Sequence, residues 1–101
     1  MRPEADATGL RFCIVAAQWN ESVVTRLVDG ALAVLAKQGA SDGDVEVRWV
    51  PGAYELPVAA LWAASSGAFD AILAIGCVIR GETEHFRLVA DAASEGLMRV
   101  A

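Results

Sequence analysis

"LRFCIVAA", residues 10–17, is a near-continuous apolar run that carries the β-branched Ile14 and Val15. It reads as a buried strand, and "QWNES" after it supplies turn and cap chemistry. From Ser22 the apolar spacing becomes helical. Val23, Val24, Leu27, Val28, Ala31, Leu32, Val34 and Leu35 form a broad stripe, Ser22 is placed to cap its start, and Gly39 fits the position just past its end. Gly30 inside the stripe costs up to ~1 kcal/mol relative to alanine, a cost tolerated where another backbone packs closely. "SDGD" (41–44) is a loop and "VEVRWV" (45–50) a second strand, stopped by Pro51 and Gly52. Glu55 to Ser66 reads as a helix with Pro57 in its first turn and Gly67 beyond its end. "DAILAIGCVI" (70–79) is a third strand, apolar throughout and therefore expected to be covered on both faces. Phe86 to Ala101 is helical again, with Phe86, Val89, Ala90, Ala93, Leu97 and Val100 on one side.

Strand and helix alternate three times, which predicts an α/β fold with a parallel sheet and helices on both faces. The strands then point the same way, and the loops after them gather along one sheet edge. In open α/β sheets ligands bind at that carboxyl edge. Three distant stretches thereby become neighbours: "QWNE" (18–21), "VPGAYE" (50–55) and "GCVIRGETEH" (76–85).

Composition narrows the function classes. A chain of 101 residues supports one domain, here residues 10–101 preceded by a flexible segment 1–9, and at this size its stability is marginal. With 55% hydrophobic and 21% charged residues and a mean hydropathy of +0.42, part of its apolar surface calls for a partner subunit. A net charge of −5 and no basic run argue against nucleic acid. No window reaches the ~18 uninterrupted apolar residues of a membrane helix, and "MRPEADATGL" has no signal-peptide core. Cys13 and Cys77 lie in apolar runs without CxxC or Cys/His spacing, so they read as reduced core thiols, which suits a cytoplasmic location.

The three loops hold the candidate chemistry. Trp19 is either an aromatic lid or subunit contact, or a flat surface on which a planar heterocycle stacks, worth ~0.5–1.5 kcal/mol beyond area burial. Asn20 reads as a turn or cap residue. Glu55, at a helix start, either complements the helix dipole or accepts hydrogen bonds from ligand hydroxyls. "RGETEH" brings a glycine, a threonine hydroxyl and backbone N–H groups to the start of the last helix, a setting that receives phosphate; Arg80 strengthens it. His85, the one histidine, is either a surface residue or a proton shuttle titrating near neutrality. One histidine and two core cysteines assemble neither a Ser-His-Asp set nor a metal cluster. Organic condensation or elimination suits these loops better than hydrolysis.

"WNE", "VPGAYELP" and "GCVIRGETEHF", in this order and at these separations, resemble lumazine synthase of riboflavin biosynthesis, from about Leu10 to Ala101. The resemblance implies a flavodoxin-like three-layer α/β/α fold. It also implies a reaction that condenses 5-amino-6-(ribitylamino)uracil with 3,4-dihydroxy-2-butanone 4-phosphate to 6,7-dimethyl-8-ribityllumazine, without metal or organic cofactor. Carried over by position, Trp19 stacks on the pyrimidine and Ala53, Tyr54 and Glu55 contact the ribityl chain. Backbone groups at Cys77, Val78 and Ile79 read the uracil edge, Glu82 and Thr83 hold the butanone phosphate, and His85 is the general acid/base.

The same resemblance implies a homo-oligomer, pentamer or larger, with sites between subunits. Phe86 is followed by Arg87 where the family pattern has an acidic residue, which adds positive charge near the mouth. Family members continue for roughly another third, so the C-terminal strand and helices are expected to be absent from this chain, together with an aromatic and an arginine lent to the neighbouring site. Two further classes follow: a flavin- or lumazine-binding homologue without turnover, and an inactive assembly subunit.

Overall fold

The apolar run at residues 10–17 forms β1, Phe12–Ala17, and every residue of it is buried. It is buried because it is central. β2, Val45–Val50, and β3, Ala71–Ile75, pair with it in parallel on either side, giving the strand order β2-β1-β3. Phe12 lies opposite Val45 and Ala71, and Ala16 opposite Trp49 and Ile75. The computed structural model describes residues 6–78 and 85–100, the side chains of 85–89 excepted.

Alternation along β1 sorts its side chains into two layers. Ile14 and Ala16 pack with Val24 and Val28 of α1, Glu21–Lys37. Cys13, Val15 and Ala17 face the other way, onto Leu56, Ala59, Ala60 and Ala63 of α2, Leu56–Ser65, and Ala93 of α3, His85–Val100. Helices thus cover both faces, a three-layer α/β/α arrangement consistent with a flavodoxin-like fold. Burying a side chain such as Ile14 or Val15 contributes roughly 1.5–3 kcal/mol. The α2 layer is built almost wholly from alanines, so that helix lies close against the sheet.

Several local expectations change. α1 begins at Glu21, one residue before the expected cap Ser22, because Asn20 occupies the N-cap in a left-handed conformation (φ 62°, ψ 46°) without a side-chain cap bond. Its far end closes as expected. Gly39 (φ 103°) donates to the Ala36 carbonyl and Ala40 to that of Leu35, the paired bonds of a Schellman turn. The α1 stripe is narrower than expected: Val24 and Val28 are buried, whereas Val23, Leu27 and Val34 are exposed. A methyl group on Gly30 would meet no heavy atom of another element within 4 Å, so among the described residues no backbone packs there. α2 is preceded by a 3-10 turn, Ala53–Glu55.

β3 is shorter and less covered than its composition suggests. Its pairing ends at Ile75 because β1, its partner, stops at Ala17 and turns away. Ile72, Leu73 and Ile75 are half-buried while Ala71 and Ala74 are exposed, since no strand pairs with its outer side among the described residues. An apolar run identifies a strand but not whether that strand is central. At the amino edge, Arg11 and Asp70 hold β1 to β3: the Arg11 N–H donates to Asp70 Oδ2 (2.8 Å) and the Asp70 N–H to the Arg11 carbonyl (2.7 Å).

Residues 6–9, within the segment expected to be flexible, lie against the end of α1. Ala7 is buried there, and its N–H donates to the Gln38 carbonyl at 2.9 Å.

Candidate active site

Parallel pairing sends the chain out of all three strands at one edge, and hydrogen bonds then join the exits. After β1 the Gln18 N–H donates to the Val50 carbonyl (2.7 Å) and the Trp19 N–H to that of Pro51 (3.1 Å), fastening the first loop to the second. Asn20 Nδ2 donates to the Cys77 carbonyl (3.0 Å), fastening the first loop to the third. Asn20 is therefore the residue at which β1, α1 and the β3 exit meet. Its left-handed backbone frees the side chain from capping α1 and aims it across the β1/β3 gap. That gap is the topological switch point of an order 2-1-3 sheet, where such sheets form their ligand crevice.

The second and third loops also touch directly. A Cβ built on Gly76 would stand 3.0 Å from Leu56 Cδ1, 3.5 Å from Ala53 Cβ and 3.6 Å from Ala17 Cβ. The bare backbone of Gly76 therefore rests in a notch made by the other two strand exits. Within the second loop Glu55 Oε2 accepts the Gly52 N–H at 3.0 Å, and the Glu55 N–H donates to the Gly52 carbonyl at 3.1 Å. The carboxylate thus organises its own turn through the Gly52 N–H.

Trp19 and Tyr54, both expected at the site, lie in the first and second loops and are 72% and 65% exposed. Ala53 is buried beneath them, and Glu55 is half-buried. Cys77 and Val78 are half-buried and point to opposite layers, Cys77 toward α1 and Val78 toward α2 and α3. The Cys77 carbonyl already accepts one hydrogen bond, from Asn20. Ile79, Glu82 and Thr83 lie outside the described residues. His85 is the first residue of α3, which packs on the 53–55 turn and on α2; its side chain is among those not described.

Sequence reasoning missed the cross-loop role of Asn20, although the signal was present: asparagine is among the few residues that tolerate φ > 0, and it sits at a strand-to-helix junction. An apolar groove of about 310 Å³ lies between α2, β3 and α3, lined by Ala60, Ala64, Ile72, Ala74, Leu97 and Val100. Among the described residues, none from the three loops lines it. Among the described residues no three His, Cys, Asp or Glu side chains converge as a metal site, and no helix is long and apolar enough to cross a membrane.

A parallel sheet of order 2-1-3 with helices on both faces and a hydrogen-bonded carboxyl rim define a flavodoxin-like α/β protein. The family model described as 6,7-dimethyl-8-ribityllumazine synthase matches residues 9–101, and the chain belongs to that family. Its members are transferases of riboflavin biosynthesis that act on small molecules and assemble as oligomers.

Proposed function

We propose that this protein condenses 5-amino-6-(ribitylamino)uracil with 3,4-dihydroxy-2-butanone 4-phosphate to give 6,7-dimethyl-8-ribityllumazine. The observation that carries the reading is the junction of three strand exits at Asn20 and Gly76, within a chain matched by the family over residues 9–101. The uracil's 5-amino group attacks the ketone carbon, and loss of water gives an imine. Tautomerisation expels phosphate from the adjacent chain and leaves a second carbonyl. The ribityl-bearing nitrogen then attacks that carbonyl, and a second water leaves as the ring closes.

In this reading the chain supplies placement and proton transfer. Trp19 carries the pyrimidine on its exposed face, and the backbone of 77–79 meets the uracil edge. Ala53, Tyr54 and Glu55 take the ribityl chain, with Glu55 Oε1 left for a hydroxyl while Oε2 holds Gly52. Glu82, through its backbone, and Thr83 hold the phosphate, and His85 moves protons between nitrogen, oxygen and solvent. Holding two substrates in register is worth up to ~7–11 kcal/mol, and a positioned imidazole adds ~10²–10⁴-fold.

The protein works as a homo-oligomer, a pentamer or larger, in the cytoplasm. The outer face of α2 supports this, with Val58, Leu61 and Trp62 exposed on a helix that carries no charged residue. The free thiols of Cys13 and Cys77 suit a reducing compartment. The test is incubation with both substrates while lumazine absorbance and released phosphate are followed. His85→Ala should lower turnover with stacking intact, and Trp19→Ala should weaken the ribitylaminouracil more than the butanone phosphate. Lumazine binding without phosphate release would instead identify a non-catalytic homologue.

A further inference from the structure

We infer that Gly96 is a positioning residue for the site, through a contact with Pro57 that fixes where α3 stands; this rests on the proposed role of His85. A Cβ at Gly96 would lie 2.6 Å from Pro57 Cγ and 2.7 Å from Pro57 Cβ, closer than carbon atoms approach without displacement. No rotamer change relieves that overlap, because the pyrrolidine ring is closed onto its own backbone. One of the two helices has to move.

The geometry says which. Pro57 follows Leu56, which is buried and wedged against Gly76, and it precedes the buried Ala59 and Ala60, so the first turn of α2 is fixed from beneath. Over its described side chains, 90–100, α3 is held by less: among these Ala93 is the buried one, and Ala90, Leu97 and Val100 are half-buried. A side chain at position 96 therefore lifts α3. The same helix packs on the 53–55 turn and begins at His85, about three turns before Gly96. Rigid displacement of the helix at Gly96 carries its first residue with it. Trp19 and the β1 and β2 exits are held to one another by backbone hydrogen bonds that do not involve α3.

The experiment compares Gly96→Ala, Pro57→Ala and the double variant in the full chain. His85 is the one histidine, so its imidazole protons form a unique NMR probe whose shift and titration midpoint read its surroundings without any need for turnover. G96A should move both, and should lower kcat by ~10–100-fold while leaving the KM for the ribitylaminouracil within about twofold. P57A opens room for the methyl group, so the double variant should return kcat and the imidazole signals to those of P57A alone. A folded G96A with wild-type imidazole signals would overturn the inference, as would a double variant no better than G96A in signals or folding. A G96A chain that unfolds but regains structure and the imidazole signals of P57A in the double variant supports it. A wild-type chain without turnover removes the proposed function, while the imidazole signals still decide the role of Gly96.

Discussion

Substitution of Asn20 separates two contributions that the fold combines at one residue. Its side chain makes a partly buried hydrogen bond to the Cys77 carbonyl, and its backbone sits at φ 62°, ψ 46°. Loss of the bond costs about 1 kcal/mol, because water then solvates a half-exposed carbonyl. An alanine held in the left-handed region costs about 1 kcal/mol more, whereas glycine adopts that conformation without steric penalty. Asn20→Ala should therefore destabilise the protein by about 2 kcal/mol and Asn20→Gly by about 1 kcal/mol. Asn20→Asp keeps the backbone tolerance but turns an acceptor toward an acceptor, and should match or exceed the glycine variant.

Urea denaturation read by linear extrapolation measures these differences. Thermal melts should show Tm falling by about 4–8 °C per kcal/mol for a domain of this size. Affinity for the ribitylaminouracil should fall equally in the alanine and glycine variants, because both unpin the β1 loop from the β3 exit. Equal stability of the alanine and glycine variants would refute the conformational part of the reasoning. Unchanged stability in all three would refute the hydrogen bond's contribution.

Glycines 39 and 30 should respond in opposite senses. Gly39→Ala places a methyl group at φ 103° and against Thr8 Oγ1, and should cost at least ~1–2 kcal/mol. Gly30→Ala, in open space on a helix, should gain up to ~1 kcal/mol; urea midpoints of the two variants moving in the same direction would contradict both. Burial pushes the Cys13 thiol pKa up, with Arg48 offsetting part of the effect. The unfolded thiol loses its proton first, near pH ~8.5, so the stabilisation is complete below that pH and is lost as pH rises toward the folded value. Wild type should lose stability between pH 8 and 10 more steeply than Cys13→Ala, and parallel curves would show that the thiol does not contribute. Trp62→Glu places a charge on the outer face of α2, where the native ring is 68% exposed. Sedimentation should show weakened self-association with stability within about ±0.5 kcal/mol; an unchanged oligomer would exclude that face from the assembly.

The local pattern of residues determined the elements and their order. Six segments of distinct hydrophobic pattern correspond in order and type to the three strands and three helices, though not in every boundary, and the Gly39 helix stop followed from backbone sterics alone. Parallel strands then had to bring the strand exits at Gln18, Pro51 and Gly76 to one edge, because direction in a parallel sheet is common to all strands. The three motifs in register also named the family that the match over residues 9–101 establishes.

What the chain order left open was decided by contacts between segments distant in sequence. β1 and β3 have similar composition, yet one is fully buried and the other half-exposed, because burial depends on which strand acquires two neighbours. Gly30 and Gly96 are both glycines within helices, but only Gly96 meets another element, and the packing of α3 on Pro57 determines that. Asn20 reads locally as a cap, and became a bridge because the β3 exit lies within 3.0 Å of its amide. Periodicity is a property of neighbours along the chain; pairing, close approach and cross-loop hydrogen bonds are properties of neighbours in space, and only the folded sheet specifies those.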